Sequence, residues 1–119
     1  MNPPVTNINR TSDVILIDWM IWEVNNKKHH LVGKNEATGE ERVSTKVVTW
    51  DPITHKVLVG SGKIYKLRGM PEINPDSNKD WNSWQKINEV ETALCVTSDY
   101  FVKMYEAYQE RKAKQRLAA

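Results

Sequence analysis

Asp13-Val14-Ile15-Leu16-Ile17-Asp18-Trp19-Met20-Ile21-Trp22-Glu23-Val24 is the stretch that decides the fold. At a period of two, Val14, Leu16, Met20, Trp22 and Val24 share one face, and Ile15, Ile17, Trp19 and Ile21 share the other. Both faces are apolar, which is the pattern of a central strand covered on two sides. Trp19 and Trp22 then point in opposite directions.

Working outward, Asn25-Asn26-Lys27-Lys28 is turn chemistry, because Asn tolerates left-handed backbone. His29 to Gly33 reads as the returning strand and residues 33–41 as an exposed loop. Residues 42–50 alternate again, with Val43, Thr45, Val47 and Thr49 against Ser44, Lys46, Val48 and Trp50. Asp51-Pro52 opens a turn. Lys56 to Val59 and Lys63 to Arg68 pair as a hairpin around Gly60-Ser61-Gly62. The expectation is an antiparallel sheet of about five strands over residues 13–68, able to curl into a partly closed small barrel.

Helical spacing follows. Ser77 or Asn78 caps a short helix, with Asp80 in its first turn and Trp81, Trp84 and Ile87 on one face. Residues 92–97 suit a further strand. Thr97 or Ser98 caps a second helix whose apolar stripe is Phe101, Met104, Tyr105 and Tyr108. The whole reads as a single α+β domain over residues 13–110. Residues 1–12 form a flexible arm broken by Pro3 and Pro4, and residues 111–119 are the basic, fraying end of the second helix.

The composition bounds the function. With 119 residues, 39% hydrophobic and 27% charged, the chain is an ordinary globular length and mixture. Its longest apolar run is cut by Asp18 and falls short of a membrane span, so no membrane role is expected. A single cysteine makes no internal disulfide, and the expected setting is a reducing, cytoplasmic one. The net charge is +2, but it is unevenly spread. Residues 42–69 carry six basic groups against Asp51, and residues 70–110 carry three basic groups against eight acidic ones. The two sectors either neutralise each other or steer a charged partner.

Candidate chemistry is sparse. His29 and His30 are adjacent on a strand and face opposite ways, so they do not share a metal. No zinc-ligand spacing occurs, and no metal, cofactor or catalytic residue is expected. Cys95, between Leu94 and Val96, reads as a small buried hydrophobe with no base beside it. Gly60-Ser61-Gly62-Lys63 lacks the spacing and the strand-to-helix context of a phosphate loop and reads as a turn. Glu40-Glu41 lie in a polar loop, and Glu89 and Glu91 near a helix end, without the apolar surroundings that acid catalysis needs.

Four of the five tryptophans fit a core; Trp50, at a strand end among lysines, is the exception. The residues that fit a binding surface are Lys46, Trp50, Lys56, Lys63, Tyr65, Lys66 and Arg68. Without a catalytic constellation, the leading expectation is a non-enzymatic binding or inhibitor-type protein acting on a protein or nucleoprotein partner, or on a second copy of itself. The alternative is a small barrel that binds nucleic acid through a basic strand face, with Trp50 as a stacking platform. A third is an enzyme whose pocket assembles only in space.

Overall fold

The computed structural model describes residues 8–25 and 27–118; residues 1–7 of the proposed arm lie outside the described residues. Eight elements follow in order: β1 (Val14–Val24), β2 (Lys28–Asn35), β3 (Glu41–Asp51), β4 (Lys56–Val59), β5 (Ile64–Leu67), α1 (Lys79–Ile87), β6 (Ala93–Cys95) and α2 (Thr97–Ala118). The class is α+β. Strands β1 to β5 form a ring, because β1 pairs with both β2 and β5, and β6 adds to the second half of β1. The sheet is mixed rather than wholly antiparallel. A meander of five strands brings the fifth back running with the first, so the β1–β5 closure is parallel while its other pairings are antiparallel.

β1 is covered on both sides, but not by the two faces that alternation predicts. Its register on β2 slips between Ile17 and Met20, and Asp18 has φ +48°. One inserted residue reverses the parity of everything after it. Val14 and Leu16 therefore share a cluster with Trp19 and Ile21, whereas Met20 and Val24 belong to the other. Opposite the bulge lies Gly33. A Cβ there would sit 2.7 Å from Leu16 Cγ and 2.8 Å from the Ile17 carbonyl oxygen, so only glycine fits.

The first cluster draws on all five ring strands and is completed by Val96, Tyr100 and Met104 from the start of α2 and the residue before it. The second lies between β1, β2, β3 and α1, where Trp81 stacks on Trp22 at 5.4 Å and on Trp84 at 5.6 Å. Asn78 caps α1 by accepting the Trp81 N–H. Glu41 also serves that helix, accepting from the backbone N–H groups of Lys79 and Asp80.

The second helix departs from its predicted cap and stripe. Thr97 is already helical, and its hydroxyl accepts the Ile21 N–H at 2.9 Å, docking α2 on β1. The buried residues are Tyr100 and Met104, with Phe101 packed beside them; Tyr105 and Tyr108 are 58% and 57% exposed. The helix runs off the ring end after one buried turn, so the far half of the stripe has nothing to pack against. No helix among the described residues is long and apolar enough to cross a membrane.

Candidate functional site

The seven surface candidates do not form one face. Tyr65 is 2% exposed and part of the ring core, with the Arg42 guanidinium 5.9 Å from its ring centroid. Arg68 pairs with Glu36 at 2.7 Å. Lys56 donates to the carbonyl oxygens of Asn9 and Arg10, and Lys66 lies across from it on β5. Lys63 is exposed in the β4–β5 turn. Lys46 and Trp50 are the two that the fold brings to a common cleft.

That cleft has a structural origin. β2 and β3 pair only as far as His30 and Lys46. Beyond that point β3 turns to β4, with a register slip between Val47 and Thr49 that swings Trp50 to the Val47 side. Strict alternation would have kept Trp50 with Lys46. The splay leaves a cleft of about 380 Å³ lined by Lys27, Lys28, His29, Lys46, Trp50 and Tyr100. A smaller hollow of about 180 Å³ shares its His29, Trp50 and Tyr100 and adds Asp99 and Lys103. Trp50 is half-buried and tilts against Tyr100 at 4.7 Å. Four ammonium groups from the β1–β2 turn, β2, β3 and α2 thus border one pair of aromatic rings.

The sequence reading missed Lys27, Lys28 and Lys103. The first two were absorbed into turn chemistry, and Lys103 lies in a segment that is acidic overall. The available signal was two lysines directly ahead of two histidines, a polar run with no alternation to satisfy. Among the described residues the ion pairs are Arg10–Asp13 and Arg68–Glu36, with Glu23 beside the His29 ring, so none joins the basic sector to the acidic one. None involves the four lysines of the rim either.

His29 lies at the centre of a short relay. Its Nε2 is 3.2 Å from Glu23 and its Nδ1 is 2.6 Å from the Tyr100 hydroxyl. With the neutral ring, the carboxylate accepts from Nε2 and the hydroxyl donates to Nδ1. The order carboxylate–imidazole–hydroxyl is that of an activated nucleophile. Here burial, and then the Glu23 charge, push Tyr100 up to about 12, the opposite of activation. The bonds tie α2 to the β1–β2 end of the ring. Cys95 is exposed rather than buried, because β6 is an edge strand, and its Sγ neighbours Thr97 Oγ1 at 3.2 Å. Gly60 to Lys63 form the β4–β5 turn, with Gly62 at φ +91° and its N–H on the Val59 carbonyl. Among the described residues no three His, Cys, Asp or Glu side chains converge as a metal-binding group.

Comparison with protein-family models, curated proteins and solved structures finds no match to this chain.

Proposed function

We propose that this protein is a non-enzymatic binding module, working in the cytoplasm, that holds a single-stranded nucleic acid across the rim of the ring. The observation that carries the reading is the convergence of Lys27, Lys28, Lys46 and Lys103 around Trp50 and Tyr100. Backbone charges beside aromatic rings are the means by which sequence-tolerant single-strand binders work. Phosphates lie along the lysines, and a base leans on the exposed part of Trp50. Asp99 at the α2 side of the hollow sets a limit to the basic path.

The test compares two charge-reversal variants. One changes Lys27, Lys28 and Lys46 to Glu; the other changes Lys63 and Lys66 to Glu on the β4–β5 hairpin, neither of which lines the cleft or the hollow beside it. Binding to a labelled mixed-sequence strand is measured at about 50 and 200 mM salt, where phosphate contacts dominate affinity. The rim variant loses binding, and its salt slope falls by about one per lysine removed. The hairpin variant keeps most of both. Equal loss in the two, or no binding by the parent at low salt, overturns the proposal.

A protein partner is the second reading, and a separate surface favours it. Val102, Tyr105 and Tyr108 are 53%, 58% and 57% exposed at spacings of three along α2. Aromatic groups at such spacing are typical anchors of a protein interface. Truncating Tyr105 and Tyr108 to Ala, followed by measurement of self-association and partner binding, separates this surface from the rim.

A further inference from the structure

The splay between β2 and β3 opens on both sides of the sheet. On the α1 side it leaves a second cleft of about 450 Å³, bordered by His30, Trp84, Asn25 and Asn88. Lys28 and Lys46 line this cleft as well as the Trp50 cleft, so the two side chains border both.

His30 is 6% exposed, and its Nδ1 lies 2.8 Å from the Ser44 carbonyl oxygen. A carbonyl only accepts, so Nδ1 carries the proton and Nε2 presents a lone pair. No described residue donates to that lone pair. Nor is it sealed in, since the sealed unpartnered side-chain atoms are Trp22 Nε1 and Thr54 Oγ1. Burial chiefly, with the Lys28 charge beside it, holds His30 below its ordinary pKa against the opposing Ser44 bond, so the ring stays a neutral acceptor.

The neighbours complete a recognition set. Asn25 accepts through Oδ1 from the Glu91 and Thr92 N–H groups, which leaves its Nδ2 free to donate. Asn88 donates through Nδ2 to the Trp84 carbonyl, which leaves its Oδ1 free to accept. The His30 and Trp84 rings stand 4.7 Å apart at 53° and supply π surface. Acceptors, a donor, aromatic surface and two cations together are the complement of a heterocyclic base with an N–H edge and an attached phosphate.

We infer that this cleft is a nucleobase subsite, taking one base against His30 and Trp84 with its phosphate between Lys28 and Lys46. The inference rests on the reading of the rim as a nucleic-acid surface and adds where a base is read. The base comes either from a strand or from a free nucleotide.

The experiment compares three probes on the intact protein: an oligothymidylate of about twelve nucleotides, an abasic strand of equal length, and thymidine monophosphate with inorganic phosphate as its control. A base subsite makes the thymidylate strand bind about tenfold or more tighter than the abasic one. His30→Phe keeps a ring in place and removes the lone pair. It removes most of the thymidylate advantage, leaving what Trp50 supplies, and leaves the abasic affinity unchanged, which a merely structural role does not do. Should that variant melt early, Trp50→Leu decides: a thymidylate advantage that survives it belongs to the His30 cleft, and one that vanishes with it belongs to the Trp50 platform and overturns the subsite. Monophosphate binding above the phosphate control assigns the site to free nucleotides as well as strands. Equal affinity for thymidylate and abasic strands overturns the subsite and the base contact at Trp50 alike, and leaves only the phosphate contacts of the rim. No strand binding at low salt overturns both.

Discussion

Asp18 and Gly33 face each other across the register slip of the first two strands, and each explains the other. Asp tolerates the left-handed backbone that the bulge requires, and Gly33 is the one residue that the displaced β1 backbone leaves room for. Gly33→Ala is expected to cost about 1–3 kcal/mol, the range for overpacking a filled site, measured by urea unfolding. Gly60→Ala is the contrast, since its nearest neighbour would be Lys46 Cγ at an ordinary 3.5 Å. Histidines give a second prediction at this scale. His30 and His55 are both held below their ordinary value of 6.5, mainly by burial. Above that value folded and unfolded chains both carry neutral rings. As pH falls through it, the unfolded chain takes up protons first, so stability declines until the folded rings titrate too. Urea midpoints taken between pH 7 and 5 should fall, and His30→Phe should flatten part of that fall.

At the scale of elements, the strands and both helices are legible in the sequence because alternation and helical spacing carry them. The three register slips, on β1 at Asp18 and on β3 opposite His30–Val32 and at Val48, are not, because a slip of one residue changes the parity of a strand without changing its composition. Asp18 inside an apolar run was the only local mark of the first, and nothing in Val47-Val48-Thr49 marks the last. The same limit explains Trp50, whose side chain turned with the slip. On α2, spacing named a four-residue stripe, but spacing does not say where a helix leaves the body. Met104→Ala is therefore expected to cost about 2–5 kcal/mol, while Tyr105→Ala and Tyr108→Ala stay within about 0.5 kcal/mol in a thermal melt. Trp81→Ala, which opens the stack between Trp22 and Trp84, should cost about 3–5 kcal/mol. Comparable losses at Tyr105 and Met104 would mean that the projecting helix packs on something else.

For the whole molecule, ring closure decides where function can sit. Five strands in a meander close by a parallel pairing, and β2 and β3 part beyond His30 and Lys46. That opening gathers lysines from distant segments around aromatic rings, and it explains why charge sectors along the sequence do not point to this cleft. Lys46 and Trp50 were found because they are close in the chain. Lys103 was not, because only the docking of α2 through Thr97 and Tyr100 brings it there. The most direct test of the central claim is to titrate the isotope-labelled protein with a single strand and follow the backbone and indole N–H signals. The rim reading predicts shifts at residues 27–30 and 46–50, at Tyr100 and at Lys103. Shifts confined to Val102, Tyr105 and Tyr108 or to the β4–β5 hairpin, or no shifts at low salt, would contradict it.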